Sequence, residues 1–134
     1  MDVLIDTSIL IENERGRLDL ARWVEADDRR SFFISVITAS ELLHGVHRAM
    51  DAGVRARRSA WVEAILGRFP ILPLDVPAAR VHAALWAELA VRGELIGAHD
   101  MWLAASCIAQ GLAIATANVR ELARVPGLEV QRWE

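Results

Sequence analysis

Short apolar runs alternate along the chain with longer segments in which apolar residues recur at helical spacing. Apolar runs of about four residues are typical of buried strands, whereas a repeat of three to four residues over roughly ten or more positions is typical of a helix packed on one face. The predicted strands are residues 2–5, 32–35, 71–74, 112–115 and 128–130. One short helix is predicted to begin at residues 9–11. The other predicted helices cover residues 18–26, 38–50, 55–67, 75–92, 98–110 and 119–123. Strands and helices therefore alternate from one end of the sequence to the other.

This alternation predicts an α/β fold in three layers, with a central, mostly parallel sheet of four to five short strands and helices on both faces. We expect one domain over residues 1–134, because no linker, repeat or second apolar core interrupts the pattern. Pro73 lies inside the third apolar run and removes a backbone donor, which suits a short strand or an edge strand. Ligands of such sheets bind beyond the carboxyl ends of the strands.

Acidic residues stand where the chain leaves predicted strands or enters predicted helices. Asp6 follows the first strand, while Glu41 and Asp100 lie near the starts of helices. Asn118 follows the fourth strand, in the polar segment Thr116-Ala117-Asn118. Two carboxylates at about 4 Å repel each other by roughly 4 kcal/mol at an effective dielectric near 20. A hard divalent cation with oxygen ligands is the usual remedy, so the pattern points to a metal-dependent enzyme.

Each of these residues also has a purely structural interpretation. Asp6 has the residue type of a helix N-cap, and Thr38-x-x-Glu41 has the sequence of a capping box. Asp100 in a first turn interacts favourably with the helix dipole. Asn118 is a common turn residue. The sequence leaves both interpretations open for every position, although their shared edge of the predicted sheet favours a functional site.

The basic residues bear on both mechanism and substrate. All 15 are arginine, no lysine occurs, and the net charge is −3. The absence of lysine argues against Walker A nucleotide binding and against phospho-aspartate enzymes that place a lysine beside the acid. Arginines 48, 55, 57 and 58 are close in sequence and are either a solvated face or a rim that binds RNA phosphates.

The remaining composition is that of a globular protein. No apolar stretch approaches the roughly 18 residues of a membrane span, and Asp2 and Asp6 interrupt an N-terminus that would otherwise resemble a secretory signal. Cys107 is the single cysteine and lies among apolar helix positions, so we expect it in the core. One unpaired cysteine fits a reducing compartment, and we expect the protein in the cytoplasm.

Four sequence blocks, in order and over nearly the whole chain, resemble the PIN-domain ribonucleases and, among them, the VapC-type toxins. The first block is Asp6-Thr7-Ser8-x-Leu10-Ile11, and the second is Ser35-x-x-Thr38-x-x-Glu41-Leu42-x-x-Gly45. The third is Leu95-Ile96-Gly97-x-x-Asp100-x-x-Leu103-Ala104-Ala105. The fourth runs from Gly111-Leu112 through Thr116-x-Asn118-x-Arg120-Glu121-Leu122 to Pro126-Gly127-Leu128-x-Val130.

The resemblance implies a PIN-like fold in which Asp6, Glu41 and Asp100 hold Mg²⁺ or Mn²⁺. Many relatives have a fourth acid where this chain has Asn118, whose amide can bind or orient a water without adding charge. Ser8 and Thr116 would orient carboxylates or water. The implied reaction is in-line hydrolysis of an RNA phosphodiester that leaves a 5′-phosphate and a 3′-hydroxyl.

The same resemblance implies a homodimer and a small VapB-like antitoxin partner, with RNA as substrate and no membrane association. Two alternatives remain open from the sequence. One is a PIN nuclease of RNA processing that works without an antitoxin. The other is a catalytically silent PIN-like binding module in which the acids only cap helices.

Overall fold

Five short strands form one parallel sheet in a computed structural model that describes all residues from 1 to 134. The strands are β1 (Val3–Ile5), β2 (Phe32–Ser35), β3 (Ile71–Leu72), β4 (Ala113–Thr116) and β5 (Val130–Arg132). Their spatial order is β3-β2-β1-β4-β5, and all four neighbouring pairs are parallel. The predicted parallel sheet is therefore confirmed, with β1 at its centre and the proline-flanked β3 at one edge.

Seven helices connect the strands. They are α1 (Thr7–Glu14), α2 (Leu20–Glu25), α3 (Val36–Arg48), α4 (Ala52–Arg68), α5 (Val76–Arg92), α6 (Ala98–Gln110) and α7 (Val119–Leu122). The α6 helix ends at Gly111, which adopts the left-handed conformation (φ 70°) that glycine accepts without a steric penalty. None of the helices combines the length and the apolar character needed to cross a membrane.

The sheet separates two apolar cores. Successive side chains of a strand point to opposite faces, so Val3 and Ile5 lie in one core while Leu4 lies in the other. Side chains from α1 to α4 and Trp133 complete the first core. Side chains from α5, α6 and α7 complete the second core, which includes the buried Cys107. The predicted three-layer α/β/α arrangement is confirmed.

Two predicted helix boundaries were wrong for the same reason. The α3 helix begins at Val36 instead of Thr38, because the Ser35 side chain accepts a hydrogen bond from the Ile37 N–H at 3.0 Å and caps the helix there. The α4 helix begins at Ala52, because the Asp51 side chain accepts a hydrogen bond from the Val54 N–H at 2.9 Å. Polar residues just before each segment are thus the true helix caps.

Candidate acidic active site

The sheet order brings the predicted site residues to one edge. The strands β1, β2 and β4 are neighbours, and their carboxyl ends lead into Asp6, into α3 and into the segment after Thr116. The backbone N–H of Asp6 donates to the Ala115 carbonyl at 2.9 Å, which joins the ends of β1 and β4 directly. Residues distant in sequence therefore meet at the crevice that the parallel topology predicts.

Asp6 is held by two hydroxyl groups instead of capping a helix. Its side chain is only 5% exposed and makes no capping hydrogen bond to α1, so the structural interpretation of Asp6 was wrong. Ser8 Oγ donates to Asp6 Oδ2 at 2.6 Å, and Thr116 Oγ1 donates to the same oxygen at 2.8 Å. Both hydroxyls act on one carboxylate oxygen, which leaves the other available to a ligand.

The two hydroxyls are themselves fixed by the backbone after β4. Ser8 Oγ accepts a hydrogen bond from the Ala117 N–H at 3.1 Å, and Thr116 Oγ1 accepts one from the Asn118 N–H at 2.9 Å. Each hydroxyl must therefore direct its proton elsewhere, and the Asp6 carboxylate is the acceptor it meets. Ser8 and Thr116 therefore both contact a carboxylate of the kind that they are predicted to orient.

Glu41 lies in the second turn of α3, and the helix begins too early for a capping box. Its predicted partner Thr38 is buried inside the helix, so the capping-box interpretation of Glu41 was also wrong. Glu41 Oε1 instead accepts a hydrogen bond from Thr7 Oγ1 at 3.0 Å. The other oxygen, Oε2, lies 3.6 Å from His99 Nδ1. Glu41 is thereby held between the start of α1 and the start of α6.

The charges of the other acids affect the pKa of Asp100. It lies in the first turn of α6 and is partly buried. Burial, followed by the charges of Asp6, Glu121 and Glu41, raises the pKa of Asp100 from 3.8 to about 6, while His99 lowers it. Mutual repulsion of this kind requires the acids to lie in one region of low dielectric. The predicted convergence of these acids at one edge therefore has electrostatic as well as topological support.

Glu121 is an acid of this site that the sequence reasoning missed. Its charge acts on Asp100 more strongly than that of Glu41, and its Oε2 accepts a hydrogen bond from the Gly97 N–H at 3.4 Å. Asn118 is exposed at the N-cap position of α7, and its side chain makes no capping hydrogen bond. The sequence signal that could have identified Glu121 is its spacing of three residues from Asn118. This spacing is about one helical turn, so an acid in α7 can serve beside Asn118 or instead of it.

The donor set fits a hard divalent cation. Asp6, Glu41, Asp100 and Glu121 supply carboxylate oxygens, which Mg²⁺ and Mn²⁺ prefer. In the conformation described, however, no group of three or more acidic, histidine or cysteine side chains is close enough to hold a metal ion. The carboxylates are gathered around one region without a preformed cage, as expected for acids that repel each other.

The four neighbouring arginines do not form one rim. Arg48 and Arg58 line a cavity that also includes Glu41. Arg55 turns away and donates from Nε and Nη2 to the Ala49 carbonyl at 3.1 and 2.7 Å. Arg57 is exposed and does not line that cavity. Only two of the four predicted arginines therefore lie beside the acids.

Known proteins resemble this chain in sequence and in fold. The PIN domain family model matches residues 3–128. Ribonuclease VapC1 of Rickettsia felis is 35% identical over 130 residues, which is 97% of this chain and 95% of that protein. DNA-bound VapBC from Salmonella typhimurium superposes with a TM-score of 0.90 at 28% identity, over 100% of this chain and 99% of the other.

A second solved structure that resembles the chain is VapBC-5 from Mycobacterium tuberculosis, a member of the VapBC family of toxin–antitoxin systems. It superposes with a TM-score of 0.78 at 29% identity, over 100% of this chain and 99% of the other.

Proposed function

The chain belongs to the PIN-domain family and, within it, to the VapC ribonucleases, and we propose that it is a metal-dependent endoribonuclease that acts as a toxin. The observation that carries the metal dependence is the group of acids around Asp100. Burial, followed by the charges of Asp6, Glu121 and Glu41 from three different segments, raises the pKa of Asp100 to about 6. Such a charge cluster is costly for the fold alone, and a bound divalent cation would stabilise it.

We assign the metal ligands to Asp6, Glu41 and Asp100, with Glu121 as a fourth acid at the same edge. When bound, Mg²⁺ or Mn²⁺ supplies a Lewis acid that favours ionisation of water and neutralises charge developing on the phosphate. Ser8 and Thr116 hold Asp6 by hydrogen bonds of 2.6 and 2.8 Å.

Water is the nucleophile in this proposal. The single cysteine, Cys107, is buried in the core, and burial together with the charge of Asp6 raises the pKa of its thiol to about 12. The hydroxyls of Ser8 and Thr116 are occupied in holding Asp6. Water attack in line with the leaving oxygen gives a 5′-phosphate and a 3′-hydroxyl. These product ends distinguish the proposal from cleavage through the ribose 2′-hydroxyl.

The proposed partners are an RNA substrate, a small VapB-like antitoxin and a second copy of the chain. VapBC-5, a structural relative, is described as a member of a toxin–antitoxin family, which supports an antitoxin for this protein. The homodimer is supported by apolar side chains of α5 that remain on the surface, among them Trp86 at 58% exposure and Val91 at 89%. We propose a cytoplasmic location, where RNA and antitoxin are both present.

Cleavage of a mixed transfer and ribosomal RNA pool by the purified protein tests the proposal. We expect discrete fragments with Mn²⁺ or Mg²⁺, none with chelator, and none from the Asp100→Asn variant. Glu63→Gln is the matched control, because it removes an exposed acid of α4 outside the site. Fragments that persist in chelator would contradict metal dependence. No fragments from folded wild-type protein free of any partner would contradict the nuclease itself.

A further inference from the structure

Two cavities border Glu41 of α3. On one side, a cavity of about 260 Å³ lies between α1, α3 and α4 and is walled by Trp61, Arg48 and Arg58 among others. On the other side, a hollow of about 350 Å³ extends to Thr7 and His99. The two spaces have Ile11, Glu41, Leu42 and Arg48 in common, so the proposed metal ligand Glu41 borders both of them.

The cavity differs in charge from the acidic site that it adjoins. Its wall carries three arginines and two glutamates in a chain whose net charge is −3; these residues are Arg15, Arg48, Arg58, Glu14 and Glu41. If Glu41 is engaged by a cation, the wall is more positive still. Because an acidic edge repels polyanions, a neighbouring cationic wall is the surface on which an RNA phosphate gains most.

Two side chains of the wall are already held in place. Arg58 Nη1 donates to the Gly45 carbonyl at 3.3 Å, which fixes one side of the guanidinium at the mouth of the cavity. Trp61 packs partly against the core formed by α1 to α4 and lines the cavity with its remaining surface. An aromatic face beside a guanidinium that is held in place is a combination that binds an unpaired base and its phosphate.

We propose that this cavity is a subsite for one unpaired nucleotide of the RNA, next to the phosphodiester that is cut. The base packs on Trp61, and Arg48 and Arg58 contact its phosphate. The cavity of about 260 Å³ is at the small end of the range for ligand sites, so it is matched to a single base and not to a base pair. The inference rests on the proposed nuclease function and adds that the subsite helps to select the cleavage position.

RNA affinity tests the subsite without requiring turnover. The probe is a short fluorescein-labelled single-stranded RNA of random sequence, titrated with the Asp100→Asn protein at several salt concentrations. We expect Arg48→Ala and Arg58→Ala each to weaken binding and to lower the salt slope, and the double variant to lower it by about 0.7, the value for one phosphate contact on a single strand. Trp61→Leu should weaken binding at least about fivefold through lost stacking.

Two further arginines serve as comparisons. Arg80→Ala removes an exposed charge from α5, on the opposite side of the sheet, and should leave the affinity unchanged. Arg57→Ala removes a charge from α4 outside the cavity and should cost less than Arg58→Ala. Equal losses for Arg57, Arg58 and Arg80 would overturn the subsite in favour of general attraction. Unchanged RNA affinity in both Arg48→Ala and Arg58→Ala would also overturn the subsite proposal. The cavity would then be a candidate binding site for a protein partner instead.

Cleavage positions provide the second measurement, in the active protein. We expect Trp61→Leu to redistribute the fragment ends found by sequencing, while Arg80→Ala retains the wild-type pattern. Circular dichroism identifies a misfolded Trp61 variant. In that case the test relies on Arg48→Ala, because the Arg48 side chain is exposed and its loss should not affect folding. Active variants with unchanged affinity and fragment ends would reject the subsite and leave the nuclease proposal intact. An inactive wild type would reject the nuclease, and the binding titration would still decide the subsite.

Discussion

Thr7 Oγ1 lies 3.0 Å from Oε1 of Glu41, although the two residues are 34 positions apart in sequence. The same Thr7 hydroxyl lies 2.9 Å from Thr38 Oγ1. A threonine hydroxyl carries one proton, so Thr7 shares its proton between Glu41 Oε1 and Thr38 Oγ1, which both accept it. The Thr7 hydroxyl therefore ties Glu41 to the buried Thr38 of the same helix.

This arrangement predicts that Thr7→Val impairs the proposed reaction while the fold remains. Valine keeps the shape of threonine but cannot donate to Glu41, so the carboxylate gains freedom to rotate away from the site. Loss of a group that orients a metal ligand typically costs about 10- to 100-fold in metal affinity or activity. The measurement is Mn²⁺ affinity by calorimetry together with the cleavage rate at saturating Mn²⁺.

Thr7→Ser is the control for that prediction, since serine restores the donor without the methyl group. We expect Thr7→Ser to stay near the wild type in Mn²⁺ affinity. Equal losses for serine and valine would indicate that packing of the methyl group matters, and the donor role of Thr7 would then be rejected.

Glu121 and Asn118 make separable predictions about the fourth polar position. The charge of Glu121 acts on Asp100, whereas the Asn118 side chain is exposed and caps nothing. We expect Glu121→Gln to weaken Mn²⁺ binding more than Asn118→Ala does, because an acid contributes charge that an amide lacks. Calorimetric titration of both variants, with Glu63→Gln as an exposed-acid control, provides the comparison. A larger loss of Mn²⁺ affinity in Asn118→Ala than in Glu121→Gln would assign the fourth ligand position to Asn118 instead of Glu121.

Cys107 gives a prediction about the core. Its side chain is fully buried, and burial together with the charge of Asp6 raises the pKa of the thiol to about 12. The thiolate is the reactive form, so the folded protein should not react with a thiol reagent at neutral pH. Mass spectrometry after iodoacetamide treatment, with and without urea, tests this. Rapid labelling without urea would show that the core around Cys107 opens readily.

The order of elements and the convergence of Asp6 and Asp100 at one edge were both predicted from the sequence. Alternating strands and helices favour a parallel sheet, and a parallel sheet brings its strand ends to one edge. The local position of Glu41 did not follow. Thr38-x-x-Glu41 has the spacing of a capping box, but Ser35 caps the helix first and places both residues inside it.

Glu121 was missed for a different reason. A residue one turn into a short helix is read as a surface charge unless the start of that helix is known to lie beside the acidic edge. The position of α7 is set by β4 and by the turn at Asn118, whose N–H is bonded to Thr116 Oγ1 at 2.9 Å. The hydrogen bond that places Glu121 at the site comes from the Gly97 N–H, 24 positions away in sequence, and the spacing from Asn118 gives no sign of that contact. The four arginines near residue 55 show the same limit, since only contacts separate Arg58 from Arg55.

The raised pKa of Asp100 predicts how the stability of the metal-free protein depends on pH. In the unfolded chain the carboxyl titrates near 3.8, and in the folded protein near 6. Between these values the folded state retains a proton that the unfolded state has lost, so the free energy of unfolding falls as pH rises. Below 3.8 this contribution is fully present, and above about 6 it is lost. Urea denaturation in chelator across that interval measures the decline.

Asp100→Asn removes the titrating group, so it shows how much of the pH-dependent fall in the free energy of unfolding comes from Asp100. The variant should lose less stability than the wild type over the same pH interval, and it should be the more stable protein above pH 6 in chelator, since its neutral amide does not repel Asp6, Glu121 and Glu41. Saturating Mn²⁺ should reverse the order, because the wild type alone retains the full set of carboxylates. If the free energy of unfolding had the same pH dependence in both proteins in chelator, Asp100 would be excluded as the source of the decline. The acids would then lie farther apart in solution than their electrostatic coupling requires.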